Sequence, residues 1–359
     1  MKKLLTVFYL FTTLQLYGQK KSFDDVIRFF HAEKNFRGAV LVATDGHIDY
    51  VNAVGLANSE NGQKMNVSST FKIASITKTF TTVLILQLLQ EGKIDLNAAI
   101  GTYFPTYKGE GKDKVTIKNL LTYSSGISND AEPLGMKSFQ TYLTLDEYIA
   151  KYCSGKLVES PGAKSSYSNT EFIILSKIIE NITKQSFKKV LQERILKPLK
   201  MKDTGIFVDG NEAKGLVNSY TVNDSTQRTQ IDEPYFIQNF YGAGAIYSTV
   251  LDLLKFDTAI FNHQLLKPET TALMLDPNAE LNNVTFGFWY STGWGIFSDK
   301  FVYRPGGILG STSNWIHTLT DKKSIIVFSN TNGSNLYELS EQLYLVSKGE
   351  KATLGRRDN

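Results

Sequence analysis

A serine and a lysine three residues apart, Ser75-Ile76-Thr77-Lys78, stand at the head of a long apolar stretch. On a helix, residues i and i+3 share a face, so the Lys78 amine can stand over the Ser75 hydroxyl and take its proton. An unassisted serine does not attack a carbonyl at neutral pH. It needs an adjacent base, and a lysine serves only where burial or a neighbouring cation lowers its pKa. The pattern is weak by itself, because the serine and lysine content of the chain gives roughly two S-x-x-K matches by chance, and three are present. Ser69 and Lys72 lie in Ser-Ser-Thr-Phe-Lys-Ile, whose β-branched and aromatic residues predict an extended segment with the two side chains on opposite faces. Ser186 and Lys189 read as an N-cap and the wet face of an amphipathic helix. Only Ser75 leads into a largely apolar helix, through Phe80, Val83, Leu84, Leu86, Leu88 and Leu89. Lys78 is there shielded from water, and the helix N-terminus offers free N–H groups and partial positive charge to an oxyanion. The plainer alternative is that Ser75 only caps the helix.

Two further stretches carry groups that suit such chemistry. Tyr167-Ser168-Asn169 follows the turn signal Pro161-Gly162 and precedes the apolar run Phe172-Ile173-Ile174-Leu175, a position that presents side chains into a cleft. A phenol beside cations can ionise in part and shuttle protons, and an amide can hold a substrate amide by donor and acceptor together. The alternative is a loop tyrosine and an asparagine N-cap. A second Tyr-x-Asn, Tyr50-Val51-Asn52, falls in a predicted hairpin and reads as structural. The third stretch is Arg304-Pro305-Gly306-Gly307-Ile308-Leu309-Gly310, after Phe301-Val302-Tyr303. Glycines on a strand allow close approach, and the Gly307 N–H could pair with that of Ser75 as an oxyanion hole. The alternative is a Pro-Gly-Gly turn between strands.

The elements that must position these residues follow from the pattern. An amphipathic helix is expected near Phe23–Lys34, then a hairpin from Gly38 to about Leu56 turning at Asp45-Gly46, then the Ser75 helix to about Gln90. Short helices are expected at Val115–Thr122 and Leu145–Tyr152, and longer ones at Thr170–Asn181 and Phe187–Leu196. Strand signals return at Phe286–Trp289, Trp294–Phe297, Trp315–Leu319 and Ser324–Phe328, before a last amphipathic helix at Leu336–Val346. Strands at both ends with helices between predict one sheet built from the two chain ends, with a helical lobe inserted at about 95–235. The N-terminus reads as a secretory signal peptide over residues 1–19: Lys2 and Lys3, an apolar run from Leu4 to Tyr17, then Gly18-Gln19. It leaves a single catalytic domain over 20–347 and a polar tail over 348–359 that is expected to fray.

Composition bounds the rest. With 42% apolar and 12% aromatic residues the chain can bury a large core. The formal charge of +4 falls to about +2 once Lys2 and Lys3 leave with the signal peptide, and nothing points to nucleic acid. Cys153 is the lone cysteine, so no intrachain disulfide forms and an N-terminal lipid-anchored cysteine is excluded. The four histidines, His31, His47, His263 and His317, form no metal-ligating pattern, so neither a metal nor a cofactor is expected.

Taken with Leu120-Leu121-Thr122-Tyr123-Ser124-Ser125-Gly126-Ile127, Ile195-Leu196-Lys197-Pro198-Leu199 and Gly242-Ala243-Gly244-Ala245, the three stretches are specific together. The chain resembles the serine β-lactamase and penicillin-binding-protein superfamily, in its branch of class C β-lactamases, D-alanyl carboxypeptidases and esterases. The resemblance covers nearly all of the mature chain. It implies a two-lobed α/β plus all-α fold, with a central antiparallel sheet flanked by helices. It also implies Ser75 as acylated nucleophile, Lys78 as its proton partner, Tyr167 as general base and acid, and Asn169, Arg304, Gly306 and Gly307 around the substrate. Two positions depart from the family pattern. Arg304 stands where Lys or His is usual, and it can grip a carboxylate but cannot lose a proton. Pro305 stands where Thr, Ser or Gly is usual, and it removes a donor and a hydroxyl. Tyr123, where a histidine is common, is expected only to pack. The implied function is a secreted or periplasmic serine hydrolase of β-lactam, D-amino-acid peptide or ester substrates, the partner being a small molecule or peptidoglycan fragment. No stable membrane insertion is expected after signal cleavage. The alternative is a non-catalytic envelope protein that binds cell-wall fragments in the same cleft.

Overall fold

The structure, a computed structural model, describes residues 19, 22–207, 213–223, 226, 228–293, 296–297 and 299–355. Nearly all of the expected signal peptide lies outside the described residues. Five helices and one sheet frame the molecule: α1 (22–33), α2 (Thr77–Gln90), α3 (Thr170–Thr183), α4 (Val250–Phe261) and α5 (Leu336–Ser347). The sheet strands are β1 (Gly38–Thr44), β2 (His47–Val54), β3 (Trp289–Ser291), β4 (Phe301–Ile308), β5 (Ser311–Thr318) and β6 (Lys323–Ser329). They lie in the order β3-β4-β5-β6-β1-β2, antiparallel throughout. The two chain ends meet at β6 against β1, where Val40 faces Val327 and Val42 faces Ile325.

Helices cover both faces, which is why β1 reads as an unbroken apolar run rather than an alternating one. Val40 and Val42 pack with Phe23, Phe30, Leu339 and Leu343 from α1 and α5. Ala39, Leu41 and Ala43 belong to the larger core on the opposite face, with Phe80 of α2 and Phe256 of α4. The β1–β2 hairpin turns at Asp45 (φ 50°) and Gly46 (φ 80°), the paired positive φ values that the Asp-Gly signal predicts. A buried polar clamp fixes α4 to the sheet. Asp257 accepts from Trp315 Nε1 at 2.7 Å and from Ser324 Oγ at 2.5 Å, and pairs with His317 Nδ1 at 3.0 Å.

The strand at Phe301–Ile308 runs through Pro305, where a turn was the alternative. Beyond Tyr303, β4 has lost its β3 neighbour, because the β3 pairing ends at Trp289 opposite Tyr303. Pro305 therefore pairs with Asn314 of β5 on one side only, and its missing N–H costs no ladder bond on the other. The strand expected at Trp294–Phe297 falls in part outside the described residues. At the C-terminus the described part of the tail folds back rather than fraying: the Thr353 N–H donates to Gln342 Oε1 at 2.7 Å, and Leu354 packs against the core between α1 and α5.

α2 is apolar all round because it is buried all round, from Thr77 through Leu86. It packs on α3 and on the short helix Ile237–Ala243. Its threonines tie flanking loops down: Thr79 Oγ1 donates to the Gly287 carbonyl at 2.8 Å and Thr81 Oγ1 to the Gly242 carbonyl at 2.7 Å. No helix among the described residues is long and apolar enough to cross a membrane.

Candidate active site

Ser75 sits in a tight turn, Ala74–Ile76, that runs into α2. Ala74 holds φ at +45°, a costly conformation for a residue with a Cβ and one that clusters at functional turns. The Ser75 hydroxyl caps nothing. It lies 2.5 Å from the Tyr167 hydroxyl and accepts from Lys78 Nζ at 3.1 Å. Lys78 is fully buried. Its other two protons go to Asn169 Oδ1 and the Ala243 carbonyl, both at 2.7 Å, so the three donors of an ammonium are matched by three acceptors. Asn169 stands at the N-cap position of α3 without capping it. The Ser168 Oγ takes the Thr170 N–H instead, at 3.0 Å, which frees Asn169 to face Lys78.

Arg304 of β4 is brought to the same point from below. It is fully buried, donates from Nε to the Ser75 carbonyl at 3.0 Å and from Nη2 to the Tyr123 hydroxyl at 2.5 Å. Its Nη1 has no hydrogen-bond partner among the described residues, and the guanidinium carbon lies 5.6 Å and 5.7 Å from the Tyr123 and Tyr167 ring centres. Tyr123 was expected only to pack. It does stack on Trp289, with ring centres 5.7 Å apart, but it also anchors Arg304, and its own φ of +54° aims it there. Gly306 permits the approach: a Cβ on it would lie 2.5 Å from the Ile73 carbonyl oxygen and 3.0 Å from the Ser75 nitrogen. Gly307 lines the cleft beyond it.

These contacts shift the two titratable groups toward each other. Burial brings Lys78 down to about 8, with the Arg304 charge acting in the same direction and Tyr167 opposing it. For Tyr167, burial pushes up, but the charges of Lys78 and Arg304 and the hydrogen bond with Ser75 outweigh it and bring the phenol to about 8. Tyr167 as a residue remains 44% exposed on the cleft wall. Beneath the site, Glu171 is buried, accepts from Ser125 Oγ at 2.7 Å and is raised by burial. A phenol and an amine poised at this range, both on one serine hydroxyl, can pass a proton to and from it near neutral pH.

The other sequence matches go elsewhere. Ser69 and Lys72 do not meet; Lys72 Nζ donates to Ser219 Oγ. The Ser186 Oγ takes the Lys189 N–H as an N-cap. Asn52 donates to the Tyr50 hydroxyl within β2. Among the described residues no group of three or more His, Cys, Asp or Glu side chains could hold a metal ion.

The cleft beside Ser75 is a cavity of about 400 Å³, bounded by Tyr167, Ser168 and Asn169 on one side and Gly307, Ile308 and Leu309 on another. The beta-lactamase family profile matches residues 23–347, a span that takes in all three stretches. The chain belongs to the beta-lactamase family. It is accordingly a serine hydrolase of that family. Among curated relatives it is 26% identical over 315 residues to the putative penicillin-binding protein PbpX of Bacillus subtilis (strain 168), covering 87% of this chain and 75% of that one. It is 26% identical over 301 residues to a teichoic acid D-alanine hydrolase of Staphylococcus aureus, covering 84% and 72%. In fold it is similar to the D-amino acid amidase of Ochrobactrum anthropi, with a TM-score of 0.79 at 21% identity over 92% of this chain and 99% of the amidase. The central antiparallel sheet with flanking helices is the β-lactamase/transpeptidase-like fold.

Proposed function

We propose that this protein cleaves D-amino-acid esters, amides or peptides through an acyl-enzyme on Ser75. The observation that carries the reading is the Ser75 hydroxyl, held 2.5 Å from the Tyr167 oxygen and 3.1 Å from the Lys78 amine. Because the three acceptors around Lys78 suit an ammonium, Tyr167 acts as the base. Its phenolate, stabilised by the Lys78 and Arg304 cations, takes the Ser75 proton as Oγ bonds to the substrate carbonyl carbon. The oxyanion rests on the N–H groups of Ser75 and Gly307. The phenol then gives its proton to the departing alcohol or amine, leaving the ester of Ser75. Water enters, loses a proton to Tyr167 and attacks the ester, and the Ser75 Oγ leaves with that proton. Asn169 holds Lys78 in place and faces the substrate.

The substrate class draws support from two relatives whose names specify D-alanine and D-amino acid substrates. The signal-peptide pattern at residues 1–19 and the cell-wall polymer named for one relative support a site of action outside the cytoplasm. We also propose the division into leader (1–19), one catalytic domain (20–347) with its helical lobe at about 95–235, and tail (348–359). The test is release of alcohol from a D-alanine ester by wild type and Ser75→Ala. Loss of turnover by about a thousandfold or more with an unchanged melting curve is expected. Equal turnover by the two proteins would refute the reading, and binding of cell-wall fragments without turnover would point to a non-catalytic binding protein.

A further inference from the structure

We infer that the cleft selects acyl donors whose leaving group carries no carboxylate and whose acyl group keeps a free ammonium: D-aminoacyl esters and amides rather than peptides ending in a free D-amino acid. This rests on the acyl-enzyme reading above and narrows it. The one arginine on β4 that could meet a carboxylate is turned inward. Two of its nitrogens are spent on the Ser75 carbonyl and the Tyr123 hydroxyl, the third is closed off from solvent, and the whole side chain is fully buried beneath the Tyr123 and Tyr167 rings. Swinging out toward a substrate would break both bonds and leave the Ser75 carbonyl without that donor. Pro305 follows with no N–H and no hydroxyl, and Gly306 and Gly307 bring no side chain at all.

The rest of the cavity offers a carboxylate no cation in exchange. No lysine, arginine or histidine lines it among the described residues. The stacked rings of Phe139 and Phe240, 3.9 Å apart, and Met136 make an apolar wall. The charged residue on the lining is Glu132, which is exposed to the cleft and accepts from Asn129 Nδ2 at 3.3 Å. A carboxylate entering this space loses water and gains no cation, whereas an ammonium gains Glu132. Arg304 and Lys78 act on the reacting oxygens from within, and Glu132 reads the amine from the cleft side.

The experiment compares three depsipeptides on the full-length protein, after titration of active Ser75 with a fluorophosphonate: D-alanyl-D-lactate, its C-terminal amide D-alanyl-D-lactamide, and N-acetyl-D-alanyl-D-lactamide. The amide is expected to exceed the free acid in kcat/KM by at least tenfold, and to exceed its N-acetylated form by at least tenfold. Glu132→Gln should collapse the second ratio toward one. Tyr123→Phe, which keeps the ring and releases Arg304 Nη2, should narrow the first. Free acid cleaved as fast as the amide, or fluorophosphonate-reactive protein that turns over none of the three, would overturn the inference. Failure of the fluorophosphonate to label Ser75 would instead remove the acyl-enzyme reading beneath it.

Discussion

Replacing Arg304 with glutamine should move the acid limb of Ser75 acylation toward alkaline pH. Below this limb both Lys78 and Tyr167 are protonated, and the pair must lose one proton before Ser75 can be deprotonated. The Arg304 charge opposes that doubly protonated, cationic state, so it lowers the pKa, and removing it must raise the pKa. The guanidinium carbon lies 5.7 Å from the Tyr167 ring centre. At an effective dielectric constant of about 20, a unit charge at that distance contributes roughly 3 kcal/mol, or about two pH units; access of water from the cleft reduces this to between about one and two. The wild-type limb is expected near 8, where both groups lie, and the variant limb at about 9 to 10. At pH 7 the variant should therefore label roughly ten- to a hundredfold more slowly, converging on wild type above about pH 10. The assay is the rate of Ser75 labelling by a fluorophosphonate across this range, with melting curves to confirm the fold. Arg304→Lys keeps the charge and should hold the limb within about one unit of wild type. A limb that stays put in Arg304→Gln, or moves toward acid, would refute the electrostatic reasoning.

Other substitutions separate chemistry from structure. Tyr167→Phe removes the hydroxyl beside Ser75 Oγ and keeps the ring of a residue already exposed on the cleft wall; acylation should fall by about a hundred- to ten-thousandfold with little change in melting temperature. Gly306→Ala forces a Cβ to within 2.5 Å of the Ile73 carbonyl oxygen, so the Ser75 turn or β4 must move, and labelling should slow about a hundredfold while circular dichroism stays native. Asp257→Ala strands Trp315 Nε1, His317 and Ser324 in the core. Urea denaturation should show a loss of about 3–5 kcal/mol, with fluorophosphonate labelling of the protein that remains folded unchanged.

Ser75 and Lys78 were legible in the chain because their relation is local: three residues on one helical face, in an apolar setting that buries the amine. Tyr167 and Asn169 were legible as a loop before a helix, although which residue caps that helix was not. Ser168 and Asn169 are both competent caps, and only the approach of Lys78 across 91 positions decides between them. The long strand through Pro305 and Gly306 was ambiguous because its local chemistry is that of a turn. It becomes a strand only through a free edge that exists once β3 has ended. What could not be read at all is non-local. The Tyr123–Arg304 bond spans 181 positions and the Lys78–Ala243 bond spans 165. The clamp at Asp257 gathers three partners from two strands. No periodicity or motif encodes such contacts, and Tyr123 in isolation looks like one more aromatic in a core.

The most direct test of the acyl-enzyme is intact-protein mass spectrometry of wild type and Ser75→Ala after rapid mixing with a D-alanine ester and, separately, a fluorophosphonate. Wild type should gain the mass of one acyl group from the ester and of one phosphonyl group from the inhibitor, both mapping to the peptide that contains Ser75, while Ser75→Ala gains neither. Equal adducts on the two proteins, or adducts on another residue, would contradict Ser75 as the nucleophile.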